Sequence, residues 1–247
     1  MRYLLITDLH SNLEALNAIL AFVKRKPIDK VVCMGDIVGY GANPNQIVEI
    51  LRGFKHKFVI RGNHDKVAAG VEDGEQFNRA ALESALWTRK KLTTQNRQFL
   101  ATLPRGPCAV DDAFLVAHGT PFDEDAYVFT DVDAYRSFAA MNGHDLCFFG
   151  HSHVACVFTL RNRSLLLYQP RGAVSKIRLL PGVKYLINPG SVGQPRDRDP
   201  KTGFAVYDST KQAVTIYRIP YPVKKAQEKI LKAGLPPTLA YRLAVGA

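Results

Sequence analysis

The apolar and polar positions alternate between two periods along the first sixty residues. Tyr3 to Thr7 is a run of large apolar side chains that predicts a buried strand, and it stops at Asp8-Leu9-His10. From Asn12 to Lys26 the apolar residues Leu13, Leu16, Ile19, Leu20 and Val23 recur at helical spacing, with Ser11 or Asn12 placed to cap the start and Pro27 beyond the end. Val31 to Met34 is a second strand that stops at Gly35-Asp36, Pro44 to Gly53 a second helix, and Lys57 to Ile60 a third strand that stops at Arg61-Gly62-Asn63-His64-Asp65. This strand-helix-strand rhythm predicts a parallel sheet with right-handed crossovers.

From Lys66 to Pro104 the pattern changes. Phe77 to Leu103 is mostly helical, with Trp87 and Phe99 as packing anchors, and is expected to be one or two helices inserted after the third strand. Cys108 to Val116 reads as two short strands around Asp111-Asp112, the second stopping at His118. Asp131 to Ala140 is a short helix, and Leu146 to Phe149 a buried strand that stops at Gly150-His151-Ser152-His153. Five strand-like segments follow: Val154–Leu160, Ser164–Tyr168, Lys184–Ile187, Gly203–Tyr207 and Val214–Arg218. Their spacing predicts antiparallel pairing in a second sheet, and Val223 to Ala233 predicts a basic surface helix ended by Pro236-Pro237. No linker or repeat divides the 247 residues, so one domain over 1–247 with a helical insert at about 66–104 is expected.

Composition alters this picture little. Hydrophobic content of 47% with 22% charged residues is globular, and no apolar run approaches the roughly 20 residues that span a bilayer. The start of the chain carries no signal-peptide pattern, so a cytoplasmic location is expected. Cys33, Cys108, Cys147 and Cys156 are scattered and form no thiolate metal motif. A net charge of +11 favours anionic partners, for which a small phosphoester substrate is the expectation; no motif points to nucleic acid, and no membrane partner is expected.

The chemistry lies at the strand ends. Five of them carry polar groups: Asp8 and His10, Asp36, Asn63 and His64, His118, and His151 and His153, which together account for five of the seven histidines. In Asp8-Leu9-His10 and His151-Ser152-His153 the paired residues would lie on one side of an extended chain. Asn63 offers an amide oxygen and His64 an imidazole able to carry a proton near neutral pH, and a turn at Gly62 would let the two face differently. Three carboxylate or amide oxygens (Asp8, Asp36, Asn63) and four imidazoles (His10, His118, His151, His153) suit two divalent transition-metal ions, Mn first, with Fe, Zn, Co or Ni as alternatives, better than Ca. Two cations about 3.5–4 Å apart need a shared anionic ligand, and Asp36, from the middle of the set, is the choice; water between them would be acidified towards pH 7.

The order Asp8-x-His10, Gly35-Asp36, Gly62-Asn63-His64-Asp65, His118 and Gly150-His151-x-His153 resembles the calcineurin-like metallophosphoesterase family, and among its members the shorter bacterial and archaeal phosphodiesterases, which also share the run Asn188 to Arg196. The resemblance implies an α/β fold, a four-layer α-β-β-α sandwich with two mixed sheets. It implies that Asp8, His10, Asp36 and His153 hold one metal, that Asp36, Asn63, His118 and His151 hold the other, and that His64 faces the scissile phosphate as general acid or charge stabiliser.

Two departures bear on the substrate. Protein phosphatases and symmetrical dinucleoside phosphatases of the superfamily usually follow the second motif with an arginine on the phosphate, where this chain has Tyr40. The protein phosphatases also place an aspartate beside the catalytic histidine, where this chain has Gly39. A phosphodiester is therefore the expected substrate, with diadenosine polyphosphate as alternative, and a non-catalytic interaction module of the same fold as the rival of a different class. Asn188 to Arg196 reads as a tight turn whose Arg196 is in reach of a substrate phosphate. Asp65 is expected to hydrogen-bond nearby backbone or to orient His64.

Overall fold

The computed structural model describes residues 1–247. Six strands form the first sheet, in the order β3 (Lys57–Val59), β2 (Lys30–Cys33), β1 (Arg2–Ile6), β11 (Thr202–Asp208), β12 (Ala213–Ile219), β9 (Val174–Arg178). Six form the second: β4 (Cys108–Val110), β5 (Phe114–Val116), β6 (Leu146–Phe148), β10 (Lys184–Asn188), β7 (Cys156–Arg161), β8 (Ser164–Tyr168). Both sheets are mixed. β1, β2 and β3 run parallel, as do β5, β6 and β10, while the remaining pairings are antiparallel.

The sheets face each other across Tyr3, Leu5, Val32, Phe114, Phe148, Ile187, Tyr207 and Ile216, all buried. On the outer face of the first sheet lie α1 (Leu13–Val23), α2 (Pro44–Gly53), α7 (Val223–Lys232) and α8 (Pro237–Tyr241), which bury Leu16, Ile19, Ile47, Leu51, Ile230 and Leu239 with Leu4, Ile6 and Phe204. On the outer face of the second lies α6 (Asp131–Ala139), whose Ala134 and Phe138 close over Leu115, Cys147 and Phe158. This is the four-layer sandwich that the motif order implied. No helix is long and apolar enough to cross a membrane.

Three expectations change. The late strands do not make a sheet of their own: β7, β8 and β10 extend the second sheet, whereas β11, β12 and β9 return to the first, because β11 pairs antiparallel with β1. Strand β9 was not anticipated; its charged positions Lys176 and Arg178 hide the alternation of an edge strand open on one face. Pro236-Pro237 ends one helix and also begins α8, with Pro237 in the first turn, where a missing N–H is harmless. The helices expected between Phe77 and Leu103 are two, α4 (Arg79–Lys91) and α5 (Thr94–Ala101), and a short α3 (Asn63–Ala69) precedes them.

Candidate metal centre

β1, β2, β3, β5 and β6 all deliver their carboxyl ends to one edge of the sandwich, so five segments far apart in sequence converge. Asp8, His10, Asp36, His118, His151 and His153 are all buried there. The backbone achieves this differently from the expected extended pairs. Asp8, His10, Asp36, His151 and His153 all have positive φ, between 45° and 65°, so each loop turns through the left-handed region and directs its side chain inward. Asp and His tolerate that region better than bulky residues, but each such residue carries strain that only a surrounding frame sustains. Asn63 and His64 are not on an extended segment either: they are the first two residues of α3, and the roughly 100° step of a helix separates their directions.

The donors form two groups that share Asp36. Asp8, His10, Asp36 and His153 bring ligand atoms within 4.8 Å of one another, as do Asp36, His118 and His151. His10 Nε2 lies 3.1 Å from His153 Nε2 and 3.5 Å from Asp36 Oδ2; His118 Nε2 lies 3.5 Å from the same oxygen. Asn63 Oδ1 joins the second group at 3.1 Å from His118 Nε2. Atoms bound about 2.1 Å from a common ion stand about 3.0–3.4 Å from one another, so these separations match the edges of coordination shells.

The ring orientations are held from behind. His10 Nδ1 donates to Val38 O (3.1 Å), His118 Nδ1 to Met34 O (2.8 Å) and His153 Nδ1 to Gln194 O (2.6 Å), which turns each Nε2 towards the centre. His151 is reversed: its Nε2 donates to Asp125 O at 2.9 Å, so Nδ1 is the free atom. Carbonyl partners of this kind fix the tautomer of a ligating imidazole. Two lone pairs 3.1 Å apart, on His10 and His153, repel unless positive charge lies beside them.

The electrostatics point the same way. Burial pushes His10 and His153 well below the ordinary histidine range, so neither carries a charge of its own. Burial opposes the charged forms of His118 and Asp36 as well. Their attraction nevertheless prevails: beside Asp36, His118 is pushed up to about 10, and Asp36, facing His118 and His64, is held well below the carboxylate range. Burial lifts Asp8 to about 7. The donor set fits divalent cations.

Gly62 is needed by proximity: a Cβ there would sit 2.2 Å from Asp36 Oδ1 and 2.8 Å from His118. Asp65 completes the α3 start. Its Oδ2 accepts from Gly62 N (2.9 Å) and its Oδ1 from Ile37 N (2.9 Å) and Val38 N (3.1 Å), tying the second and third motifs together. It makes no hydrogen bond to the His64 ring, so of the two expected roles only the backbone one is present.

His64 lies beside this centre between the rings of Tyr40 (4.3 Å) and Phe77 (4.5 Å), with His10 at 4.9 Å. Its Nδ1 is buried without a partner and faces Gly39, where a Cβ would come within 2.5 Å. Burial lowers its pKa to about 4, against the pull of Asp36 and with the help of Arg196 and His118.

Arg196 reaches the same place from the β10 side. Its guanidinium donates to Tyr40 Oη (3.3 Å) and Gln194 Oε1 (3.0 Å) and lies 5.7 Å from the Tyr40 ring centre, while its Nε is buried without a partner. The run before it acts as punctuation and clamp: Asn188 Nδ2 donates to Gly150 O (2.8 Å), and Ser191 Oγ to Asp8 O (2.9 Å).

The centre opens on a cavity of about 760 Å3, lined by Asp36, Tyr40, Asn63, His64, His151, His153 and Arg196 on the inside and by residues 70–78 further out. Sequence reasoning missed three participants. Tyr127 stacks on His151 at 3.9 Å, Asp125 supplies the carbonyl that orients His151, and Lys66, only 1% exposed, pairs with Asp125 (2.5 Å), Glu72 (2.9 Å) and Glu124 (3.4 Å). The available signal was the acidic and aromatic loop that follows His118, since loops after ligand-bearing strands carry function.

Known proteins resemble this chain in sequence and in fold. Residues 1–212 match the model of the calcineurin-like phosphoesterase superfamily domain. An uncharacterized protein of Methanocaldococcus jannaschii is 41% identical over 246 residues, spanning 98% of this chain and 96% of its own. Among solved structures, a metallophosphoesterase from Sphaerobacter thermophilus superposes with a TM-score of 0.86 at 35% identity, covering 100% of this chain and 99% of its own. A protein of Pyrococcus horikoshii shares the fold, with a TM-score of 0.82 at 18% identity, covering 100% of this chain and 98% of its own.

Proposed function

The chain belongs to the calcineurin-like phosphoesterase superfamily, and from that premise we propose that it hydrolyses a phosphodiester at a pair of divalent transition-metal ions. The observation that carries this reading is the sharing of Asp36 by two converging donor groups, one of Asp8, His10 and His153, the other of Asn63, His118 and His151. The mixed oxygen and nitrogen donors favour Mn, with Fe, Zn, Co and Ni next. When bound, such ions supply Lewis-acid stabilisation of the phosphoryl oxygens and acidify water enough for attack near neutral pH.

The protein's own groups do the rest. Asp36 places its carboxylate between both donor groups and so balances charge for two cations. His64 stands over the centre on the cavity side. It is neutral near pH 7 in the free protein, and the negative charge of a bound phosphate raises its pKa, so that it can protonate a departing alkoxide. Arg196, held by Tyr40 and Gln194, offers its free Nε–H to a non-bridging oxygen. Asp65 acts through the backbone of the Gly35–Val38 loop and holds α3 against it.

A diester is favoured over a monoester because Gly39 and Tyr40 put neither a carboxylate beside His64 nor an arginine in that loop for a second phosphate charge. The rival reading as a non-catalytic module loses support because every donor is present and converges. The four cysteines are all free and three are buried, which supports the reducing conditions of a cytoplasm. The test is a comparison of two aryl esters with the Mn-loaded protein. Bis-p-nitrophenyl phosphate is expected to show the higher kcat/KM, and the reverse order against p-nitrophenyl phosphate at equal metal loading overturns the preference.

A further inference from the structure

The cavity changes sign along its length. At its inner end stand Arg196 and, of the donors, Asp36, Asn63, His151 and His153, where bound cations would add positive charge. Its outer wall, the segment between α3 and α4, presents Glu72, Asp73 and Glu75. Two cations approach this wall, and both are engaged. Lys66 pairs with Glu72 but also with Glu124 and Asp125. Arg89 donates to the main-chain oxygens of Val67 and Glu72, at the carboxyl end of α3. Asp73 and Glu75 have no ion-pair partner; Asp73 Oδ1 only accepts from Glu75 N at 3.1 Å. On a chain of net charge +11, two free carboxylates at the mouth of a cavity that reaches the centre stand out against the prevailing sign.

From this we infer that the outer wall sorts substrates by charge: it admits a singly charged phosphodiester whose departing alcohol is neutral or cationic and disfavours polyphosphate chains. This rests on the phosphodiester reading above and narrows it. A diester held at the inner end projects its alcohol along the wall, where the Gln76 amide and the Phe77 ring suit a hydroxylated or aromatic group. A dinucleoside polyphosphate would project further phosphates towards Asp73 and Glu75 instead. Clefts with low-dielectric walls focus such fields, so the repulsion acts on binding as well as on encounter.

The test uses the metal-loaded full chain and the double variant Asp73→Asn, Glu75→Gln, which removes two exposed charges and keeps an acceptor for the Glu75 N–H. Calorimetric binding of inorganic tripolyphosphate is expected to tighten at least fivefold in the variant at low salt, with the gain shrinking as the ionic strength rises. The ratio of kcat/KM for diadenosine tetraphosphate to that for bis-p-nitrophenyl phosphate is expected to rise by at least the same factor. The charge-keeping swap Asp73→Glu, Glu75→Asp should retain the discrimination of the original protein. Equal tripolyphosphate affinity in the original protein and the charge-removed variant overturns the inference, as does an original protein that prefers diadenosine tetraphosphate to the diester. The binding arm needs no turnover, so absence of any phosphoester cleavage would count against the phosphodiester reading alone.

Discussion

The two donor groups that meet at Asp36 are built from different materials. The group of Asp8, His10 and His153 belongs to the sheets: its loops leave β1 and β6 through left-handed turns, and its imidazoles lean on the carbonyls of Val38 and Gln194. The group of Asn63, His118 and His151 is partly assembled from outside. Asn63 is the first residue of a short helix, and the ring of His151 is oriented by Asp125, whose side chain is tied to α3 through Lys66. The first group is buried on loops that leave the sandwich core directly; the second depends also on a surface loop and one buried lysine. Similar ligands at similar separations can therefore differ in how their geometry is held, and substitutions outside the centre should affect them unequally.

The largest effect should come from the residue common to both. Asp36→Asn removes the charge that lets two cations sit side by side, and activity is expected to fall by at least about 10³ together with loss of at least one metal per chain. Elemental analysis and rates on one preparation check this; two fully occupied sites in the variant would refute the shared role.

His64 stands over the junction of the two groups without being a proposed ligand. His64→Ala should keep both metals and lose about 10²–10⁴ in rate on an alkyl or nucleoside ester, the usual contribution of a positioned acid. On a p-nitrophenyl ester, whose leaving group needs little protonation, a smaller loss is expected. Equal losses on both esters would make His64 a charge stabiliser, and missing metal would make it a ligand.

Lys66 tests the asymmetry directly. Lys66→Met leaves Asp125 and Glu72 without their cation; both are partly exposed and Glu124 keeps Arg61, so stability should fall by only about 1 kcal/mol. It should also weaken one of two metal sites by about 10–100-fold, the usual cost of losing a group behind a ligand, while the other keeps its affinity. Denaturant titration and stepwise metal binding report the two effects separately, and Lys66→Arg should restore both in part. Equal weakening of both sites would erase the distinction between the groups.

The smallest effect is expected at Arg196. Arg196→Ala leaves the donors untouched and removes one charged hydrogen bond, typically about 1.5–3 kcal/mol, so KM for the diester should rise about tenfold or more at unchanged metal content. A fall in metal binding would instead assign Arg196 to holding the loop that carries Gln194.

The sequence by itself settled which residues meet and where. Donors at the ends of apolar strands must converge if those strands lie parallel in facing sheets, and the strands were legible because burial on both faces leaves uninterrupted apolar runs. Hence Asp8, His10, Asp36, Asn63, His118, His151 and His153 could be named in advance and are all found at one edge.

Three matters were decided by the tertiary structure alone. Which sheet the late strands join is set by β11 finding the free edge of β1, a pairing between residues some two hundred positions apart that no local pattern encodes. The left-handed turns at Asp8, His10 and His153 appear only when the surrounding frame holds them, since locally the chain prefers the extended form that periodicity suggested. The burial of Lys66 follows from three carboxylates in two separate loops closing around it; in sequence it is one lysine among many, and only the folded chain, by excluding water from that spot, makes its charge decisive.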